Sequence, residues 1–396
     1  MKAISIEIAF LTNLLLFTML RLLCVLSFLC FFGLSLIQAQ NFECLSEGST
    51  SDAMQQAFGD LWAKKSPAIM LGIAEGVGIN QELYLSLIKL CNRNLGIRHI
   101  ACERSHGEAF LFNKYLETGN ENYLGYEYEW SEEMRIAFRD LYEFNRTLPE
   151  GKKLVFLGID AVQYLSPIVL TLQELVPNTR PPKEIESFVD SIKSLTLPLP
   201  RNPTLSNQQL LKEKERQLAF LRAEITTKMP YYRTFFGENY KHIAMIISNT
   251  STFLEPGKRN TEMYKGAMMA CKIFDIKDGI IGMFGSNHTG LDKKWSFASK
   301  LKNEEASLFA NNTYVVNVHY ERTKSFYGKI VTIENSELDR VYGKRSDTEE
   351  AELKQNTKCD NFILKVSSDR QSLVSRMDYL VYITGASPIK VLRPFN

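Results

Sequence analysis

Several common catalytic signatures are missing from this chain. It has no Gly-x-Ser-x-Gly elbow, no Gly-x4-Gly-Lys-Ser/Thr phosphate loop, no His-Glu-x-x-His and no Cys-x-x-Cys pair. That sets aside the familiar serine hydrolases, phosphate-loop nucleotide enzymes and zinc peptidases. A surplus of one charge is missing too. The 47 basic and 45 acidic residues give a net charge of +2 and are mixed along the sequence, so nucleic acid is not an expected partner. Internal repeats and low-complexity tracts are absent. Histidine is scarce, with five in 396 residues, so each can be weighed singly.

Cysteine is sparse as well. Cys24 and Cys30 lie in an N-terminal apolar run. Cys91, Cys102 and Cys271 fall in apolar patterns where a free thiol behaves as a small buried hydrophobe. Cys44 and Cys359 occupy polar segments near the two ends, which suggests one disulfide tying those ends together.

One long hydrophobic run is present. Residues 8–37 are almost wholly apolar, interrupted by Thr12, Asn13 and Arg21. Read from Met19, Arg21 supplies a basic start, residues 22–37 form an apolar stretch of signal-peptide length, and Ala39 is a small residue for cleavage. The expectation is a signal peptide over residues 1–39 and a secreted, periplasmic or cell-envelope protein. The same run is long enough to span a bilayer, so an uncleaved N-terminal anchor is the other reading and the one expected link to a membrane.

The rest, 45% apolar and 23% charged over the whole chain, reads as one α/β domain over residues 40–396. A mostly parallel central sheet flanked by helices is expected. Its organising stretch is residues 68–78, an apolar run that stops at Glu75 among Gly72, Gly76 and Gly78. Helical spacing of Ile79, Leu83, Leu87, Leu90 and Cys91 follows, and then a second apolar run ends on Glu103. Residues 154–160 repeat the pattern and end on Asp160. Helices are expected near 53–64, after Ser105 up to Gly119, and after Ser131 as cap. Prolines at 177, 181, 182, 198, 200 and 203 and a charged helical run over 210–228 mark a helical insert or lid at about 165–235. Further strands are read at 242–247, 279–284 and 379–384. Residues 313–333 are β-rich, and 334–358 form a charged loop.

In parallel sheets ligands sit beyond the carboxyl ends of the strands, which puts Glu75 and Glu103 in a candidate site. Glu75 is equally readable as a capping acid, and Asp160 as an acceptor of backbone N–H groups. His288, in the small polar loop Gly285-Ser286-Asn287-His288-Thr289-Gly290, follows a strand where a side chain is presented rather than buried. His106 stands at a helix start; His99, His242 and His319 lie within strand-like patterns and read as core or sheet histidines. Arg259 opens a helix, where its charge does nothing for the helix, so an outside partner is expected. Such a set can activate water: a carboxylate-oriented imidazole takes a proton while arginine steadies negative charge on an ester or amide oxygen. Glu103-x-x-His106 with His288 is too unspecific a pattern to assign a metal. No cofactor is expected.

The order of these segments resembles the erythromycin-esterase-like family. The similar stretches are residues 71–76, 98–103, 113–119, 130–133 with Asn145, 155–160, Arg259 with Met263, the loop ending at His288, and 378–383 with Ser387-Pro388. The resemblance implies an α/β fold with a helical insert, and hydrolysis by a histidine and glutamates that activate water, with Glu103 and His288 in the family's positions. It departs at the first motif: Ile73 stands where a glutamate is expected and Glu75 where a histidine is expected. Gly285 replaces another histidine. The expectation is an esterase-like hydrolase with Glu75, Glu103 and His288 catalytic and His106, Arg259 and Asp160 binding a small-molecule ester. The alternative is a non-catalytic relative that keeps the cleft for a ligand.

Overall fold

The computed structural model describes residues 42–46, 49–124, 131–162, 164–196, 207–248, 256–326, 330–333, 359–366 and 377–390. The expected signal peptide and the charged loop over 334–358 lie outside the described residues.

The sheet begins with β1 (Phe42–Cys44), β2 (Ala68–Ile73), β3 (His99–Cys102) and β4 (Val155–Gly158). It is completed by β5 (Ile280–Gly285), β6 (Thr313–Glu321), β9 (Phe362–Lys365) and β10 (Tyr379–Thr384), with β7 (Thr323–Phe326) and β8 (Ile330–Ile333) forming a separate antiparallel pair. Strand order across the eight is β1-β9-β10-β6-β2-β5-β3-β4. All pairs from β10 to β4 are parallel, and β9 is antiparallel to both its neighbours. This is the α/β fold with a mostly parallel sheet that the sequence predicts.

Strand chemistry follows from burial on both faces. All six residues of β2 are buried; Ile69, Leu71 and Ile73 join one apolar cluster, and Ala68 and Met70 join the other. A strand covered on two sides is selected for continuous apolarity rather than alternation. Helices α1 (Thr50–Ala57), α2 (Asn80–Leu95), α3 (His106–Thr118) and α4 (Glu132–Thr147) follow the early strands. The Ser105 hydroxyl caps α3 in a capping box with Glu108, and the Ser131 hydroxyl accepts the Met134 N–H to cap α4. The expected helix over 53–64 starts earlier, at Thr50, and breaks after Ala57 before a 3-10 turn at Leu61–Ala63.

Between β4 and β5 run α5 (Ser166–Leu175), α6 (Lys183–Ser194), α7 (Asn207–Thr227), α8 (Met229–Phe236), α9 (Tyr240–Ser248) and α10 (Pro256–Ile273). Those from α5 to α9 share a third apolar cluster with Phe110 and Leu111 of α3. Residues 242–247, read as a strand, belong to α9 instead. Ile243 and Ile246, three apart, are both buried in the third cluster; a short run of apolar residues fits helix and strand equally until packing decides. Two short helices, α11 (Ser286–Thr289) and α12 (Phe297–Asn303), follow β5. Cys44 and Cys359 form a disulfide that ties β1 to the segment entering β9. Cys91, Cys102 and Cys271 are free, two of them buried and Cys102 partly so.

Candidate active site

Four adjacent strands, β2, β5, β3 and β4, end together. Ile73 is opposite Gly285, Met283 opposite Cys102, and Cys102 opposite Gly158. Because β5 enters the sheet between β2 and β3, the short helix α11 that carries His288 is inserted between the loops carrying Glu75 and Glu103. Gly285 is the meeting point. A Cβ placed on it would lie 3.7 Å from His288 Cδ2, 3.9 Å from Glu75 Oε1 and 4.0 Å from Glu103 Oε2.

Glu75 is carried by a rigid turn. Gly76 adopts φ +75°, and a side chain there would come within 2.3 Å of the Phe326 carbonyl oxygen, so only glycine fits. The Ser325 hydroxyl donates to the Glu75 carbonyl at 2.6 Å, and the N–H groups of Phe326 and Ile389 donate to Gly76 O at 3.1 and 3.0 Å. Glu75 is exposed as a residue, yet protein lies close enough to its carboxyl to desolvate it in part. Desolvation, with the neighbouring Glu103 charge second, raises its pKa against the opposing pull of Arg104, Arg259 and His288.

Glu103 is the opposite case. Its burial favours the neutral form, but His288, Arg259 and the Gly285 N–H outweigh that and hold its pKa at about 2. The contacts are Arg259 Nη2 to Oε1 at 2.7 Å, Gly285 N–H to Oε2 at 3.1 Å, and His288 Nε2 facing Oε1 at 3.3 Å. Arg259 also grips Asp160, through Nε at 3.0 and 3.1 Å to the two carboxylate oxygens and through Nη2. Burial works against the guanidinium charge, and these two carboxylates more than restore it. Asp160 is 1% exposed and accepts the Ala161 N–H at 2.7 Å. The charge of Arg259, of no use to its own helix, is therefore spent on Asp160 and Glu103.

His288 is 7% exposed: the segment read as a polar loop is the short helix α11, and it buries this ring rather than displaying it. Its Nδ1 meets Asn260 Oδ1 at 2.7 Å. Asn260 follows Arg259 in the first turns of α10; the sequence reading passed over it, and its only signal was that neighbour.

The structure thus brings Glu75, Glu103, His288, Arg259 and Asp160 together and leaves His106 out. His106 is 2% exposed, with Nε2 3.1 Å from His242 Nδ1 and its ring stacked on His242 and Phe274. Burial and the adjacent His242 lower its pKa to about 3; burial, Lys241 and Lys114 lower that of His242 to about 4. Sealed against α9, His106 has no route to a ligand in the Glu75 crevice. Asp160 likewise reaches any ligand only through Arg259, because the guanidinium covers its carboxylate.

Compared by sequence, the chain matches no protein-family model and no curated protein. Compared by structure, it shares its fold with a Bacillus cereus protein (TM-score 0.63, 15% identity, 89% of this chain and 97% of that one). It is also similar to a succinoglycan biosynthesis protein (0.58, 17%, 90% and 97%). An erythromycin esterase, solved as a histidine-to-asparagine mutant in its open conformation, is similar over 87% of this chain and 98% of that one, with TM-score 0.56 and 12% identity. The fold is thus one that an esterase uses.

Proposed function

We propose that this protein is a carboxylic-ester hydrolase in which Glu75 activates water. The observation that carries the reading is the convergence of Glu75, Glu103 and His288 at Gly285. Two carboxylates in one crevice have their pKa values pushed in opposite directions, which divides their roles: Glu103 stays an anion and Glu75 is the one set to exchange a proton. Glu75, with the raised pKa and no hydrogen bond to its carboxylate among the described residues, takes a proton from water. The water oxygen bonds to the ester carbonyl carbon, and the carbonyl electron pair moves onto oxygen. Arg259, held by Asp160 and Glu103 with Nη1 unbonded among the described residues, faces the growing negative charge. Collapse breaks the bond to the alcohol oxygen, which takes a proton from protonated His288 Nε2. Acid and alcohol leave, and Glu75 returns the proton to the imidazole through solvent. The disulfide supports an oxidising destination, which agrees with a signal peptide and a secreted or envelope location.

The second reading, a non-catalytic protein that binds a ligand in the same cleft, is favoured by Ile73. This residue is 7% exposed within the apolar core, where the resembled family is expected to carry a glutamate. The deciding experiment assays the full secreted chain against aryl esters, alkyl esters and lactones, alongside Glu75→Gln and His288→Ala. Turnover lost in both variants supports hydrolysis. No turnover of any ester, or activity unchanged in both variants, overturns it and leaves ligand binding.

A further inference from the structure

The proposed reaction asks His288 to release a proton from one particular nitrogen, and an imidazole has two. A neutral ring can carry its hydrogen on either. We infer that Asn260 is a positioning residue that holds the His288 hydrogen on Nδ1, so that Nε2, the nitrogen facing Glu103, is the atom that exchanges a proton. The inference rests on the hydrolytic reading for its consequence, though not for its geometry.

Asn260 is fully buried, on the second turn of α10, and its Oδ1 stands 2.7 Å from His288 Nδ1. An amide oxygen only accepts, so the ring nitrogen donates. On the far side of the ring, Nε2 faces Glu103 Oε1 at 3.3 Å. The Asn260 Nδ2 group meets no hydrogen-bond partner among the described residues and is closed to solvent. A buried donor left unmet is costly, so the side chain is not placed there for its own satisfaction; its oxygen is what the site uses. The neighbouring Arg259 bonds Asp160 and Glu103, so the start of one helix orients both Glu103 and His288. Asparagine differs from a carboxylate in this position. It fixes the tautomer without adding charge, which leaves Glu103 as the anion that meets the ring when Nε2 is protonated.

The test uses the full chain with 15N-labelled histidine, since five histidines give a readable spectrum. For the neutral form of the ring, the expected wild-type result is hydrogen on Nδ1 and a bare Nε2. In Asn260→Leu the ring becomes a mixture of tautomers. In Asn260→Asp the carboxylate still accepts the Nδ1 hydrogen, so the tautomer is kept. If esters are turned over, Asn260→Leu lowers kcat by roughly a hundredfold with KM little changed, and Asn260→Asp recovers part of it. Wild-type His288 carrying its neutral hydrogen on Nε2 overturns the inference, whatever the ester assays give. So does a tautomer that stays unchanged in Asn260→Leu. If Asn260→Leu fails to fold, the wild-type tautomer still decides. Absence of esterase activity with the expected tautomer would discard the hydrolytic reading and keep the positioning role.

Discussion

Glu103 and Glu75 face the same point from two strands, yet only Glu103 is held in ionic form by a full set of partners. Arg259, His288 and the Gly285 N–H all serve Glu103, and its charge is one of the reasons Glu75 keeps its proton to higher pH. Removing that charge acts on the neighbour. In Glu103→Gln the Glu75 midpoint is expected to fall back toward the ordinary carboxylate value of 4.5. In the wild type, kcat/KM on any ester the protein accepts rises with pH through a midpoint above 4.5, because the base works only when ionised. A pH–rate profile of both proteins checks this; an acid limb that does not move sinks the assignment of Glu75 as base.

The same pair predicts an acid limit to stability. The Glu103 pKa is lowered in the folded protein, from 4.5 to about 2. Its contribution is therefore complete above the unfolded value and is lost as pH falls from about 4.5 toward 2. Urea midpoints across that window should fall more gently in Glu103→Gln than in the wild type. Equal slopes would show that Glu103 is not held as its contacts suggest.

Arg259 carries a separate structural cost. Asp160 is almost wholly enclosed, and Arg259→Met strips a buried carboxylate of its cation while keeping most of the apolar stem. Breaking a buried pair from one side costs about 3–5 kcal/mol. Adding Asp160→Asn to that variant removes the orphaned charge and should recover part of the loss. Chemical unfolding of the three proteins checks the order wild type, double variant, single variant.

The sheet was legible because its strands are buried on both faces: residues 68–73, 155–158 and 379–384 are short apolar runs that no amphipathic pattern imitates. Residues 242–247 have the same composition and fold as helix, since their neighbours are other helices rather than strands. The acids at the strand ends were visible for the same reason, as the first polar residues after each run. What the sequence could not display was adjacency across the sheet. Nothing in the order of the segments says that β5, more than a hundred residues after β4, slips between β2 and β3. That insertion is what seats His288 beside both glutamates and brings the start of α10 over them. His106 misled because three residues from Glu103 on a helix start resembles a site, while its true neighbour, His242, lies 136 residues away.

The stacked pair of buried His106 and half-buried His242 makes a last prediction that is independent of catalysis. Both have lowered pKa values in the folded protein, about 3 for His106 and about 4 for His242, against 6.5. The unfolded chain therefore binds protons that the folded one refuses, so their contribution is intact above about 6.5 and declines as pH falls toward 4. Replacing His242 alone leaves His106 with both ring nitrogens unmet among the described residues. Replacing both with leucine removes the polar pair together, and its cavity is walled by Phe110 and Phe274, so stability at pH 7.5 should change by no more than about 2 kcal/mol. The double variant is then expected to hold its urea midpoint between pH 6.5 and 4.5 where the wild type loses ground. A wild type that is equally steady over that range would mean that the imidazoles are protonated inside the fold, and that α3 and α9 make room for the charge.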